Sequence, residues 1–148
     1  SGAIERVMYA LLEKSAKDAR EGRKPMFPLW LAPTQVRIIP LKDEFLDYSK
    51  ELSNKLKERN IRVDIDDRNE SIGKRIRESE KEWIRYVLVI GEKEVSSENL
   101  SVRDRTQENV KEITFDDFIA EINEQNRGKP NSTLNLPLLL SKRPIIQV

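Results

Sequence analysis

The sequence predicts an α/β layer fold with a largely parallel or mixed sheet. Two observations predict it: segments with helical spacing alternate along the chain with short β-rich segments, and one uninterrupted apolar run, Tyr86 to Ile90, has the composition of a central strand covered on both faces. The length of 148 residues is that of one ordinary domain. We therefore expect one main domain.

Four segments carry apolar residues at helical spacing. The first covers about residues 4 to 20 and ends before Gly22 and Pro25, and the second begins at Asp43 as an N-cap. Ser71 caps a third, short helix, and the fourth follows Thr114. The predicted apolar stripes are Ile4, Val7, Met8, Leu11 and Leu12; Phe45, Tyr48, Leu52 and Leu56; Ile72, Ile76 and Trp83; and Phe115, Phe118, Ile119 and Ile122.

Three further segments are predicted to be strands. Residues 35 to 39 are β-rich and end at Pro40. The segment from Ile61 to Asp66 alternates apolar and charged residues, which predicts a half-buried strand with a polar face. Leu100 and Val102 alternate with polar residues in the same way.

The composition excludes several classes of protein. The chain has no cysteine and no histidine, which excludes disulfides, Cys/His zinc sites, cysteine nucleophiles and histidine triads. Its five glycines fit neither a Walker A loop nor a dinucleotide fingerprint. A charged fraction of 36% with no cysteine indicates a hot environment. The absence of a long apolar run or a leader predicts a cytoplasmic protein without membrane contact, so the glycosylation-like triplets at Asn69, Asn99 and Asn131 are taken as chance.

The net charge of +1 confines any nucleic-acid contact to a local patch. One candidate is the segment 67–78, in which Arg68 and Asn69 precede a helix N-terminus with Lys74 in its first turn. Free backbone amides suit phosphate oxygens, and Arg and Asn suit base edges. The alternative is a solvated helix face of mixed charge.

Two other clusters have competing interpretations. Arg103 and Arg105 lie at the end of a predicted strand, where ligands bind in open sheets, unless they only form surface ion pairs with Asp104 or Glu108. The carboxylates Asp64, Asp66 and Asp67 could hold Mg²⁺ or act as acid and base. We favour the alternative, a solvated strand end paired to Arg62 and Arg68.

Four blocks in order carry a family resemblance. They are Pro-Leu-Trp-Leu-Ala-Pro-Thr-Gln-Val at 28–36, Asp-Asp-Arg-Asn-Glu-Ser-Ile-Gly-Lys-Arg-Ile-Arg-Glu at 66–78, Val-Leu-Val-Ile-Gly-Glu-Lys-Glu-Val at 87–95 and Val-Arg-Asp-Arg at 102–105. Together they resemble the C-terminal anticodon-binding domain of class II threonyl-tRNA synthetases. The closing Leu-Asn-Leu-Pro at 134–137 looks like the tail of archaeal members.

The resemblance implies a mixed, mainly parallel five-stranded sheet wrapped by helices, with an N-terminal helix and an extended C-terminal tail. It implies that the domain reads the second and third anticodon bases, G and U, of threonine tRNA. Carried over by motif, Asn69 and Arg105 are the first candidates for base readers, followed by Glu94 and Arg103, with phosphate contacts from Arg68, Lys74 and Arg77. The serines at 96 and 97 depart from the pattern of bacterial relatives, where another acidic residue often stands.

The first residues resemble the end of motif 3 of the catalytic domain, in which Arg6 matches an ATP-contacting arginine. Because motifs 1 and 2 and the zinc ligands are missing, the chain is interpreted as an inactive fragment: the last catalytic helix and a linker (1–25), the anticodon-binding domain (26–125) and a packed C-terminal extension (126–148). ATP, Mg and Zn are implied only for the full-length enzyme, and no cofactor for the fragment. The implied partners are the threonine tRNA anticodon loop and the parent catalytic domain, not DNA.

Two other functions remain open. The same fold serves in accessory or protein-interaction modules that read no anticodon, and the aspartates alone would support a small-molecule α/β enzyme. The presence of both Asn69 and Arg105 favours the RNA-binding interpretation. We also expect the tail to pack across the domain, because an exposed patch of this many apolar residues is rare in soluble proteins: Leu134, Leu136, Leu138, Leu139, Leu140, Ile145, Ile146 and Val148.

Overall fold

The computed structural model describes residues 2–131, 133–134 and 136–144. Helices and strands alternate along most of this chain, as predicted. The helices are α1 (Gly2–Arg20), α2 (Leu46–Glu58), α3 (Ile72–Lys81), α4 (Glu92–Ser96) and α5 (Phe115–Asn126), and the strands are β1 (Val36–Pro40), β2 (Val63–Ile65), β3 (Tyr86–Ile90), β4 (Asn99–Asp104) and β5 (Val110–Thr114). Short 3₁₀ helices cover Leu29–Leu31, Asp43–Phe45 and Leu140–Lys142.

The five strands form one mixed sheet in the order β2-β1-β3-β4-β5. β1 pairs in parallel with both β2 and β3, whereas β3 pairs with β4, and β4 with β5, in antiparallel fashion. The apolar run at 86–90 is the middle strand, which confirms its prediction. The sheet therefore has a parallel half (β2, β1, β3) and an antiparallel half (β3, β4, β5), so parallel pairing does not predominate.

The main apolar core lies on the face of the sheet that α2 and α5 cover. Leu52 and Leu56 of α2 and Phe118 of α5 pack there on side chains of β1, β2, β3 and β4. The Tyr86 ring meets the Phe118 ring edge-on, with centroids 5.3 Å apart. Burial raises the pKa of Tyr86 to about 12. Each fully buried side chain of this kind contributes about 1.5–3 kcal/mol to folding.

The opposite face, under α3, has a smaller core built on Ile39, Ile84 and Val87. Beside it lies a buried ion pair: Arg37 Nε and Nη2 donate to the two carboxylate oxygens of Asp64 at 2.9 and 3.0 Å, and both residues are fully buried. The two are register partners on β1 and β2. The predicted half-buried β2 with a polar face is therefore wrong, because Arg37 neutralises Asp64 and allows both faces of the strand to be buried.

The helix starts follow the sequence in part. Ser71 and Thr114 cap α3 and α5 by accepting hydrogen bonds from the Lys74 and Asp117 amides. Asp43 does not cap α2, because a 3₁₀ turn at Asp43–Phe45 precedes the helix. Ile72 is 37% exposed, so the apolar stripe predicted for α3 begins one turn later.

The helix α1 has its apolar stripe in solvent. Four of the five predicted stripe residues are more than half exposed and Leu11 is half-buried. Ser15 is the one buried residue of α1 within the described part of the chain. None of the described helices combines the length and hydropathy that crossing a membrane requires. The exposed residues of the stripe are Ile4, Val7, Met8 and Leu12, and the neighbouring Tyr9 is exposed as well.

The described part of the tail lies along the outer edge of β2. The Ile65 amide donates to the Leu138 carbonyl at 2.9 Å, and Leu139 forms a parallel bridge with Ile65. Leu140 is buried, and Arg143 Nη2 donates to Asp64 at 3.0 Å. The predicted contacts of Ile145, Ile146 and Val148 fall outside the described residues.

Candidate nucleic-acid interface

The face of the sheet under α3 is uncovered over the antiparallel half. β4 alternates buried and accessible residues, and its accessible side chains lie beside those of β5 in the pairs Ser101–Glu112 and Arg103–Val110. We call these four residues the open face. Lys93 of α4 forms an ion pair with Glu112 at its edge. On the other side of β5, Lys111 is held by Glu121 of α5 at 2.8 Å, so only one side is available.

Arg103 is the one cation of this open face. Its side chain is exposed and has no hydrogen bond or ion pair among the residues the structure describes. It lines a small cavity of about 70 Å³ together with Ile76 and Glu80 of α3 and Val87 of β3. An exposed guanidinium presents paired N–H donors to a planar ligand.

Arg105 has a different environment. Its Nε donates to the Pro25 carbonyl and its Nη1 to the Glu80 carbonyl, both at 2.8 Å. Burial lowers its pKa. The side chain thus ties the linker after α1 to the end of α3, and its Nη2 has no hydrogen bond among the described residues. The alternative of an ion pair with Asp104 is wrong, because Asp104 accepts from Arg85 at 2.7 Å.

Glu94 is buried at the start of α4. Its carboxylate accepts the Gly91 amide at 3.0 Å and the Ser101 hydroxyl, which caps α4 and joins it to β4. Burial alone would raise the pKa of Glu94, but the hydrogen bonds from Ser101 and Gly91 outweigh it and lower the pKa. Glu94, a predicted base reader, therefore has a structural role, because both of its carboxylate oxygens accept hydrogen bonds within the domain.

The loop between β2 and α3 holds two of the other predicted residues, Arg68 and Asn69. Arg68 donates to Asp66 through Nε and Nη2 at 2.9 and 2.7 Å and pairs with Glu78 through Nη1 at 2.6 Å. The hydrogen bond to Asp66 raises its pKa. Its charge is therefore compensated twice, which weakens the case for a phosphate contact. Asn69, one residue later, is exposed, and its side chain has no partner within the described residues.

The two residues of α3 predicted to contact phosphates, Lys74 and Arg77, differ in availability. Lys74 Nζ forms an exposed ion pair with Glu70 at 2.9 Å, four residues away. Arg77 is exposed, and its side chain makes no recorded contact with the described part of the chain. Both lie outside the buried surface of α3, which consists of Arg75 and Ser79. The helix thus exposes both of the predicted cations to solvent.

The three aspartates do not form a metal site. Asp64 is bound by Arg37, Asp66 by Arg68, and Asp67 by Ser141. Among the described residues no cluster of three side chains could hold a metal ion. The favoured interpretation, a solvated strand end paired to Arg62 and Arg68, is confirmed for the pair of Asp66 with Arg68. It is wrong about solvent exposure, because Asp64 and Asp66 are buried. It is also wrong about Arg62, which donates instead to the Ala32 and Trp30 carbonyls.

Two more placements complete the site. Arg6 is exposed on α1, and the structure records no partner for it in the described ranges. Sequence reasoning missed Ser141, whose amide and hydroxyl both donate to Asp67. A serine after a leucine run carries no pattern that would identify this contact, since it depends on where the tail crosses β2.

Comparison with known proteins identifies the domain. The anticodon binding domain family matches residues 35–125. The threonine–tRNA ligase of Nitrosopumilus maritimus is 66% identical over all 148 residues, which is 24% of that protein, and that of Pyrococcus horikoshii is 53% identical over 144 residues, 97% of this chain and 23% of that protein. The chain thus spans about a quarter of the length of these relatives.

Solved structures agree with the fold. The RNA binding domain of threonyl-tRNA synthetase from Cryptosporidium parvum Iowa II has a TM-score of 0.63 at 28% identity, covering 72% of this chain and 26% of that one. The prolyl-tRNA synthetase of the same organism, complexed with halofuginone and AMPPNP, has a TM-score of 0.62 at 25% identity, covering 70% and 24%. Because the family match covers more than half of the chain, the protein belongs to the anticodon binding domain family, and it is similar to the threonine–tRNA ligase members.

Proposed function

We propose that this chain is the tRNA-binding module of a threonyl-tRNA synthetase and that it reads the second and third anticodon bases of threonine tRNA. The observation that carries the proposal is the accessibility of Arg103 and Asn69, which have no side-chain partner among the described residues. The relatives named threonine–tRNA ligase support the identity of the RNA.

The chemistry of these two side chains suits unpaired bases. Bases of an anticodon loop expose their edges when they unstack. An arginine guanidinium contacts O6 and N7 of guanine in bidentate fashion, and an asparagine amide offers one donor group and one acceptor to a uracil edge. Arg103 is the better candidate for a base reader than Arg105, because two donor groups of Arg105 already bind backbone carbonyls.

The phosphates of the loop are assigned to α3. Lys74 and Arg77 are exposed on this helix, and Arg68 contributes less because two carboxylates compensate its charge. Glu94 acts by fixing α4 beside the open face. Arg6 is exposed on α1, and we assign it no role in binding the anticodon loop.

The test is a titration of the chain against a threonine-anticodon stem-loop and against one with the middle G replaced. Arg103→Ala is expected to weaken binding by about 1–3 kcal/mol and to reduce the preference for G. Thermal stability should stay unchanged, because the side chain is exposed. A wild-type protein that binds both stem-loops equally contradicts the proposal.

Arg105→Ala is the matched control, two residues away on the same strand end. Loss of its bonds to Pro25 and Glu80 should lower the free energy of unfolding by about 1–3 kcal/mol, while the preference for G is retained. If Arg105→Ala abolishes the preference and Arg103→Ala does not, base reading belongs to Arg105, as its motif position indicated.

The stripe on α1 supports the second proposed partner, the catalytic domain of the parent synthetase. Exposed apolar residues over three turns of a helix usually mark a contact surface, and most of the relatives' length lies outside the matched region. Leu12→Lys should leave the unfolding and RNA affinity of this chain unchanged but reduce aminoacylation when introduced into a full-length enzyme. Unchanged aminoacylation would remove α1 from the interdomain contact.

A further inference from the structure

The loop that carries Asn69 is fixed at its β2 end by the sheet. The Asp66 amide donates to the Ile38 carbonyl at 2.8 Å. Arg75, a buried residue of α3, donates through Nη1 to the carbonyls of Asp66 and Pro40 at 3.0 and 2.9 Å. These bonds join β1, β2 and α3 where the loop leaves the sheet, but none of them involves the three residues that follow Asp66.

The next residue, Asp67, is held by the tail. Its Oδ1 accepts the Ser141 amide at 3.0 Å and its Oδ2 accepts the Ser141 hydroxyl at 2.6 Å, so both carboxylate oxygens are used by one residue 74 positions away. A bidentate contact to a charged acceptor restrains both position and orientation. It lies two residues before Asn69.

Ser141 itself is well anchored. Leu140, directly before it, is buried, and Arg143, two residues after it, donates to the fully buried Asp64 and to the Pro137 carbonyl, each at 3.0 Å. The bridge between Leu139 and Ile65 fixes the same segment to β2. Ser141 is therefore a fixed point of the fold against which the loop is held.

We propose that the C-terminal tail takes part in anticodon recognition through Asp67 and Ser141, which act as positioning residues for Asn69. This inference rests on the proposed function of Asn69 as a base reader. A loop already held in its binding geometry loses less conformational freedom when the RNA binds. The tail then affects recognition although it contacts no base itself.

The contact is placed to affect recognition more than stability. Ser141 is exposed and Asp67 only half-buried, and exposed polar contacts contribute little to the free energy of unfolding. The tail keeps its other anchors, Leu140 and Arg143, when this contact is removed. Variants at Asp67 should therefore unfold close to the wild-type temperature.

The experiment measures the affinity of the 148-residue chain for the threonine-anticodon stem-loop and for stem-loops substituted at the second or the third base. Asn69→Ala identifies the base that Asn69 reads. Asp67→Ala should reduce discrimination at that same base by about three- to tenfold. Asp67→Asn should restore it, since an amide can accept the Ser141 N–H and donate to the Ser141 hydroxyl. Ser141→Ala, which keeps its backbone bond, should give a smaller reduction.

The affinity for the matching stem-loop divided by the affinity for a substituted one distinguishes a positioning effect of Asp67 from an effect of its charge. Removal of the Asp67 carboxylate strengthens binding of every RNA to a similar degree, which cancels in the ratio. In an Asn69→Ala background, Asp67→Ala should cause no further loss of discrimination. That result would not follow from a merely structural contact.

The outcomes that overturn the inference are distinct. Unchanged discrimination in Asp67→Ala, or an Asp67→Asn variant as impaired as Asp67→Ala, excludes positioning by this contact while the proposed function stands. If the wild-type chain does not discriminate among the stem-loops, the proposed function is contradicted, and so is the inference that rests on it. If Asp67→Ala unfolds at the assay temperature, unchanged discrimination in the milder Ser141→Ala variant overturns the inference.

Discussion

The two halves of the sheet use their charged residues in different ways. In the parallel half, Arg37 and Asp64 are fully buried and bind each other across neighbouring strands. In the antiparallel half, one face of β4 and β5 is accessible, and Arg103 stands on it without a partner among the described residues. Parallel strands are covered on both faces, whereas antiparallel sheets can leave one face to solvent.

This difference separates structural charges from binding charges. A charge on a strand covered on both faces must be neutralised within the protein, because an unpaired buried ion is costly. A charge on the open face is hydrated at no such cost and remains available to a ligand. Whether an arginine lies on a covered or an open strand therefore indicates its role better than the charges of its sequence neighbours do.

The largest expected effect comes from removing the buried ion pair of the parallel half. Asp64→Ala should lower the free energy of unfolding by about 3–5 kcal/mol, because it leaves Arg37 buried without its main counter-ion. Glu112→Ala, which removes an exposed ion pair with Lys93 on the open face, is the matched control and should change stability by less than about 1 kcal/mol. Urea unfolding measures both, and equal effects would contradict the contrast between the halves.

The second prediction concerns the tail that covers the edge of the parallel half. Truncation after Arg127 removes the buried Leu140 and the Arg143 contact to Asp64. The free energy of unfolding should fall by about 2–4 kcal/mol, with aggregation through the uncovered edge of β2. An unchanged melting temperature, with rapid proteolysis of the tail in the intact chain, would show that the segment is a linker.

The sequence predicts secondary-structure elements better than it predicts which side chains contact each other. The apolar run of β3 and the caps Ser71 and Thr114 depend on local periodicity and hydrogen bonding, which the sequence contains. The burial of Asp64 depends on Arg37, 27 positions away, and the difference between Arg103 and Arg105 depends on where the linker at Pro25 passes. The helix α4 is too short for a clear helical period, and the two apolar residues of β5, Val110 and Ile113, lie three positions apart instead of alternating.

A smaller effect tests how α4 is attached to the antiparallel half. Because the folded-state pKa of Glu94 is lowered from its ordinary 4.5, its carboxylate contributes stability that is present above that pH and is lost as the pH falls through the folded-state pKa. Glu94→Gln should be less stable than wild type by about 1–3 kcal/mol near pH 7. The difference should shrink near pH 3, and a constant difference in urea unfolding at the two pH values would contradict a titrating contact.

The smallest expected effect sharpens the comparison between base contacts and phosphate contacts. Lys74 lies in the first turn of α3, and its ammonium group shares its charge with Glu70. Lys74→Ala should therefore weaken binding by less than about 1 kcal/mol, equally for stem-loops of every anticodon sequence. The slope of log affinity against log salt should become shallower by up to about 0.7, the value for one phosphate contact on single-stranded RNA. Glu70→Ala is the matched control, and by freeing the ammonium group it should steepen the slope. A loss with Lys74→Ala that depends on the base would instead place Lys74 among the residues that read the anticodon.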